Sequence, residues 1–258
     1  MKDTTLFNIE RHQKILDIMH RDGSVNVNSL ASFFQVTPAT IRADLTRLEA
    51  QGALVRTHGG AIANVVNRRE PRINERHNEE KKSRISEKAV EYVAEHDILL
   101  LDTGTTMVSF AKALVSSPIC ELTIFSNDID VIRILEEKET FSLHLFAGKM
   151  RNGYHYCYGA QISQLLQDCH FSKLFLSSSA VSIEHGLTTA NPELAQIKRD
   201  MIKASDEIIL LVDSSKLHQI DFQKFADLKQ VDILVMDSDL TEEDSTMLGN
   251  AVNKLVLA

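Results

Sequence analysis

The chain has 258 residues, 43% of them apolar and 25% charged, with a net charge of −8. That is the composition of a folded globular protein, which excludes a disordered chain, and no apolar run approaches the ~20 residues that span a bilayer. The opening MKDTTLFNIERHQK has no apolar signal core, and Cys120, Cys157 and Cys169 are odd in number without CxxC spacing, so a reduced, cytoplasmic protein is expected.

The charge is segregated. Residues 1–69 carry nine Lys/Arg against six Asp/Glu, a net of +3, and the remainder carries nineteen against thirty, a net of −11. A basic head on an acidic body suits phosphate-backbone binding by the head alone. The length accommodates a domain of about 60 residues and one of about 180. The expected division is 1–63, a charged linker over 64–83, and 84–258.

Three helical patterns open the chain. Ile15, Ile18 and Met19 recur at helical spacing before Asp22-Gly23, and Val27, Leu30, Ala31 and Phe34 share a face of the second pattern. The third begins at Thr37-Pro38, where Thr is a good N-cap and proline at the first helical position forfeits no hydrogen bond. Its apolar stripe is Ile41, Leu45 and Leu48. Only Gln35-Val36 separates the second and third patterns, which forces a steep crossing of the helix-turn-helix kind. Stepping 100° per residue, the opposite face of the third helix carries Ala39, Arg42, Ala43 and Thr46, with Thr40 and Arg47 on its flanks. Small residues permit close approach to base edges, Arg42 offers a bidentate fork, and Thr37 and Thr40 stand where phosphate meets a helix N-terminus. Leu54–Thr57 reads as a strand, Gly59-Gly60 as a turn and Ala61–Ala63 as the return, a wing bearing Arg56 and His58. The candidate DNA-contacting set is Thr37, Pro38, Ala39, Thr40, Arg42, Ala43, Thr46, Arg47, Arg56 and His58. A three-helix packing module without DNA contact is the blander alternative. The linker is strongly charged and holds Pro71; Arg68 and Arg69 within it are further candidates for phosphate contact.

From Ile85 the pattern becomes helix, strand, helix, strand. The unbroken apolar run Ile98–Leu101 predicts a strand buried on both faces, and Leu122–Phe125, Leu143–Phe146, Leu174–Leu176, Ile208–Val212 and Ile233–Met236 are similar. Amphipathic stretches such as Met107–Leu114 and Ala195–Ala204 lie between them. The expected fold is α/β: an N-terminal winged helix-turn-helix joined to an open, mostly parallel, doubly wound sheet. Ligands of such sheets bind at the carboxyl ends of the strands. Those ends are polar here: Asp102-Thr103-Gly104-Thr105-Thr106, Ser126-Asn127-Asp128, Ala147-Gly148-Lys149 followed by Arg151, and Asp213-Ser214-Ser215-Lys216. A hydroxyl-rich turn that opens a helix offers free N–H groups and positive potential to a phosphate, and Lys216 and Arg151 are natural counter-charges. Asp102 would repel phosphate and is assigned to sugar hydroxyls or to loop orientation. Capped turns explain any one of these loops alone; their recurrence at one sheet edge favours a site.

Two further stretches draw attention. Tyr154-His155-Tyr156-Cys157-Tyr158 reads as a surface loop, with a wall against a sugar ring as the alternative. Metal is not expected there, because His155 and Cys157 have no further ligand at a familiar spacing. Ser177-Ser178-Ser179 has no GxSxG context, so nucleophilic catalysis is not expected.

The run VTPATIRADLTRLEAQGALVRTHGGA (Val36–Ala61) resembles the N-terminal signature of the DeoR family of bacterial regulators. It departs where the family usually has a second arginine, here Ala43. The C-terminal half resembles the DeoR effector domain through LLLDTGTT (99–106), SND (126–128), AGKMR (147–151), GLTTANPELAQIKRDMI (186–202) and LLVDSSK (210–216). Here the departures are Ala147 in place of a glycine and Leu194 in place of an acidic residue. The resemblance implies a fold similar to phosphosugar isomerases that binds a sugar phosphate without converting it. It implies a site lined by Asp102, Gly104, Thr105, Thr106, Asn127, Gly148 and Lys216, with Lys198 also a candidate; strand-end chemistry adds Thr103 and Arg151.

The function expected is a transcription regulator, a repressor, of a sugar catabolic operon. Its partners would be double-stranded operator DNA and a sugar-phosphate effector, with no membrane, metal or cofactor, and the family suggests a homodimer or homotetramer. The alternative is a phosphosugar isomerase or deaminase with an appended domain, using Asp128, Asp130, Glu184 or His185 as general base.

Overall fold

The structure, a computed structural model, describes residues 11–12, 14–16, 18–19, 24–50, 54–57, 59–63 and 78–258. The chain forms two compact units, Met1–Arg69 and Glu70–Ala258. His58, Arg68, Arg69, the Asp22-Gly23 pair and most of the expected linker lie outside the described residues.

In the N-terminal unit, strand β1 (Ser24–Asn26) leads into helix α1 (Val27–Phe34). The Asn26 side chain caps α1 by accepting from Asn28 N at 2.8 Å, and Gln35 ends it in the left-handed region at φ 53°. Helix α2 (Pro38–Ala50) follows, its start held by Thr37, whose Oγ1 accepts from Thr40 N at 3.2 Å. Strands β2 (Leu54–Thr57) and β3 (Gly60–Ala63) pair as an antiparallel hairpin. The sequence led to a two-stranded wing; the sheet has a third strand, because β1 pairs with the far edge of β3. Gly60 makes that possible: a Cβ there would stand 2.0 Å from the Val25 carbonyl oxygen. Ile15, Met19, Val27, Leu30, Ile41, Leu45, Leu48 and Leu54 form the core.

The C-terminal unit is built on a seven-stranded sheet, all of whose pairings are parallel. Helix α3 (Glu79–Val90) precedes β4 (Ile98–Leu101), α4 (Thr105–Ser116), β5 (Thr123–Ser126), α5 (Ile129–Leu135) and β6 (Ser142–Leu145). A hairpin of β7 (Lys149–Arg151) and β8 (Tyr156–Tyr158) leads to α6 (Ala160–Gln167) and β9 (Phe171–Leu176). Then come β10 (Ala180–Ser182), β11 (Gly186–Thr189), α7 (Pro192–Lys203), β12 (Ser205–Leu211), β13 (Gln223–Ala226), β14 (Ile233–Met236), α8 (Glu242–Ala251) and β15 (Lys254–Leu257). The sheet order is β15-β14-β12-β9-β4-β5-β6, with β10, β11 and β13 forming a small antiparallel sheet beside it. Alternate residues enter opposite cores. Leu99 and Leu101 pack with α3, α4 and α5 through Ile85, Phe110 and Val131. Leu100 packs with α6, α7 and α8 through Ile162, Ala195 and Leu248. Burial on both faces is why the central strands read as continuous apolar runs; β6, at the sheet edge, is mostly exposed instead.

Three readings of the sequence need correction. Residues 154–158 are not a surface loop: β8 lies among them, and Tyr154, Tyr156, Cys157 and Tyr158 are all buried. Residues 79–83, assigned to the linker, form the start of α3, where Lys82 is buried. Strand β15 was missed, because Lys254-Leu-Val-Leu257 is short and sits at a sheet edge.

Candidate functional site

In α2 the apolar stripe faces the core, and Thr37, Pro38, Ala39, Arg42, Ala43, Thr46 and Arg47 are exposed, with Thr40 half-buried. Arg56 on β2 is tied to this surface. Its Nη1 donates to Thr46 Oγ1 at 3.0 Å and its backbone N–H to Glu49 Oε1 at 2.8 Å. Helix α2 therefore presents one cationic, small-residue face braced by the wing. A buried acid was missed: Asp44, one turn beyond Ile41, accepts a two-pronged bond from Arg11 (2.7 and 3.1 Å) and another from His12 Nε2 (2.8 Å). Burial pushes the Asp44 carboxyl up, but hydrogen bonds and charge from Arg11 and His12 outweigh it and hold the group below its ordinary value. The acid locks the first helical segment to the middle of α2.

In the C-terminal unit, the strand order identifies where the chain changes direction. From β4 the sheet grows one way through β5 and β6, and from β9 the other way through β12, β14 and β15. Crevices outside the carboxyl ends at such a switch point are the usual ligand sites of open α/β sheets. Asp102, at the tip of β4, and Ser177, at the tip of β9, meet there. Asp102 Oδ2 accepts from Ser177 N and Ser177 Oγ, both at 2.9 Å, and forms an ion pair with Lys198 of α7. Lys198 Nζ also donates to the Ser177 carbonyl at 3.0 Å. Both charged side chains are sealed, at 3% exposure for Lys198 and 0% for Asp102. Of the two roles the sequence offered for Asp102, these contacts fit loop orientation rather than a side chain extended to a sugar, and the charge of Lys198 is engaged by Asp102. A charge removed from water needs a close partner, and these two supply each other's.

The Gly104 turn has φ 108° and opens α4 without a side-chain cap. Its N–H is already engaged, donating to Asp128 Oδ2 at 2.9 Å. Thr103, Gly104 and Thr106 are buried, and Thr105 is half-buried. Asp128 also caps α5 by accepting from Asp130 N and Val131 N. Burial pushes its carboxyl up to about 6; the three backbone N–H groups pull the other way and the Asp130 charge adds to the rise. Asn127 is buried and donates from Nδ2 to the Cys157 carbonyl at 2.8 Å, which staples β8 to the β5 loop. Among the described residues, Asp102 Oδ1 and Asn127 Oδ1 are buried acceptors without a hydrogen-bond partner.

The remaining candidates lie further along the strand ends. Gly148 is exposed, and a Cβ there would meet the Tyr158 carbonyl oxygen at 2.5 Å, so it serves the approach of β8. Arg151 lies 4.0 Å from the Tyr154 ring centroid and donates to the Tyr156 hydroxyl, which also accepts from Asn191 Nδ2. Lys216 is half-buried in the turn Ser214–Lys216 that follows β12. Of the proposed general bases, Asp128 is occupied by backbone donors, Asp130 pairs with His155 Nδ1 at 2.7 Å, and Glu184 and His185 are exposed beyond β10. Sequence reasoning passed over Ser177 as a partner, as well as Asp237. The sole signal for Asp237 was its place directly after an apolar strand.

Comparison with known proteins agrees with this architecture. The family model of the DeoR-like helix-turn-helix domain matches residues 11–66, and that of the DeoR C terminal sensor domain matches residues 77–238. The HTH-type transcriptional repressor GlcR of Bacillus subtilis is 31% identical over 234 residues, covering 90% of this chain and 89% of GlcR. The lactose phosphotransferase system repressor of Streptococcus mutans is 34% identical over 233 residues, covering 88% of this chain and 91% of that one. Among solved structures, ribose 5 phosphate isomerase A from Neisseria gonorrhoeae aligns over 55% of each chain at 18% identity, with a TM-score of 0.42. With a DNA-reading domain and a sensor domain of one family in succession, the chain belongs to the DeoR family of transcriptional regulators.

Proposed function

We propose that this protein represses a sugar catabolic operon in the cytoplasm and releases its operator when a phosphorylated sugar binds the strand-end loops of the sensor domain. The observation that carries the reading is the polar cluster at the switch point between β4 and β9, in a chain that also bears an exposed recognition face on α2. Gly104 supplies no side-chain cap to α4, and beyond the Gly104 N–H, which Asp128 takes, the amides that open the helix favour an anion, while Thr105 and the neighbouring loops offer hydroxyl partners. The repressors named above align with this chain over about nine-tenths of both lengths, which supports a regulator rather than an enzyme. A single recognition helix reads few base pairs, so a symmetric homodimer or homotetramer on a repeated half-site is part of the proposal. For useful switching, the effector must favour one form by about 1–3 kcal/mol.

The test is release of operator DNA against a panel of phosphorylated ketoses and aldoses and their unphosphorylated counterparts. Release by a phosphorylated sugar alone supports the reading. Equal release by the free sugar would remove the phosphate from it.

A further inference from the structure

Helix α3 starts at the point where the chain leaves residues 64–77 and enters the sensor. Asn78 occupies its N-cap position in the left-handed region, at φ 69° and ψ 38°, yet its side chain makes no capping bond. Asparagine at this position ordinarily accepts from the first free N–H groups of the helix. Here Nδ2 donates to Asp213 Oδ1 at 3.0 Å and to Ser215 Oγ at 3.2 Å, both in the loop after β12. Nearly one turn on, Lys81 Nζ donates to Ser214 Oγ at 2.9 Å and pairs with Asp237 at 3.0 Å and Asp239 at 2.8 Å. Asp237 is wholly buried at the tip of β14 and also accepts from Ser214 N and Ser214 Oγ. Three consecutive loop residues are thus bonded to the first turn of α3.

The proton inventory makes this connection sensitive to an anion. The Ser214 hydroxyl gives its one proton to Asp237 and accepts from Lys81; the Ser215 hydroxyl gives its proton to Asp213 and accepts from Asn78. An anion that takes either proton, or draws Lys216 toward itself, breaks the chain of bonds that reaches α3.

We propose that Asn78 and Lys81 are positioning residues that report occupancy of the 213–216 loop to the segment leading to the DNA-binding domain. The inference rests on the reading that the effector binds at these strand ends. It assigns no ligand contact to either residue: they act through the serines and Asp237.

The experiment uses the full chain, without sugar, on DNA selected by the wild-type protein from a random pool, with affinity read by fluorescence anisotropy. Asn78→Ala and Lys81→Gln are each expected to shift DNA affinity about tenfold, the scale of typical coupling between sites. Thermal unfolding of these variants reports whether the sensor is intact. Lys81→Arg, which keeps the carboxylate pairings, is expected to restore wild-type affinity. Lys88→Gln, which breaks only the exposed Lys88–Glu91 pair of the same helix, should change nothing. Folded Asn78→Ala and Lys81→Gln proteins that bind DNA like the wild type overturn the proposal. Should either variant fail to fold, the wild-type protein answers the question, because coupling is reciprocal. DNA must then alter amide hydrogen exchange at residues 82–84, and unchanged exchange overturns the proposal equally. A sugar-phosphate panel that fails to release DNA while these shifts appear removes the effector class and leaves the coupling intact. Release by a sugar phosphate with unshifted variants removes the coupling alone.

Discussion

Lys198 and Asp102 form an ion pair, sealed from solvent, that ties α7 to the tip of β4 where the two halves of the sheet part. Ser177 completes the arrangement by giving Asp102 a backbone and a hydroxyl proton and taking one bond from Lys198. Removing one member leaves the other as a buried, uncompensated charge. Lys198→Met should therefore lower the unfolding free energy by about 3–5 kcal/mol. Adding Asp102→Asn to that variant removes the orphaned charge and should recover part of the loss. Urea unfolding of the three proteins checks this; a Lys198→Met protein as stable as the wild type would show that the pair contributes nothing.

Asp128 sets a pH dependence of its own. Its folded value of about 6 lies above the ordinary 3.8, so the native state holds the proton more tightly than the unfolded chain. Its contribution to stability is complete below about pH 4 and declines as pH rises toward 6, by roughly 3 kcal/mol in total. Asp128→Asn cannot titrate. Relative to this variant, the wild type should lose stability between pH 4 and pH 7, and parallel stability curves for the two proteins would contradict the assignment.

Asp44 has the opposite sign. Its folded value is depressed, because the Arg11 and His12 partners overcome its burial. The stability it contributes is present above the ordinary value of 3.8 and is lost as pH falls through the folded value. Asp44→Asn should weaken the DNA-binding domain by about 1–3 kcal/mol at neutral pH, the range for a lost charged hydrogen bond. The difference from wild type should shrink in acid. Amide exchange in α2 measures it, and a difference that persists unchanged in acid would contradict the sign.

Arg42 stands exposed on the face of α2 opposite Ile41 and Leu45. If it forks onto a guanine, Arg42→Ala should cost about 1–3 kcal/mol of operator affinity and relax selectivity at one base pair. Arg47, on the flank, should instead weaken binding uniformly across sequences and reduce the salt dependence. Affinity measured across operator variants and salt concentrations separates the two; unchanged operator binding in Arg42→Ala would remove α2 as the reading helix.

Much of this protein was legible from residues taken alone. The apolar runs Ile98–Leu101 and Ile233–Met236 are strands, the Thr37-Pro38 start and the Ile41-Leu45-Leu48 stripe define a helix, and the polar loops at strand ends are where the sequence put them. Each follows from periodicity and capping, which are local and need no partner. What the sequence could not yield was which strands are neighbours. That β9 lies beside β4 decides that Ser177 reaches Asp102 across 75 residues, that Lys198 neutralises it, and that Asn78 answers to Asp213. The same applies to Asp44 with Arg11, and to the burial of Tyr156 in a run that looked like surface. A side chain's charge and hydrogen-bonding capacity are written in its identity, whereas whether they are spent on a neighbour or left for a ligand depends on contacts between segments far apart in the chain, and only folding creates those.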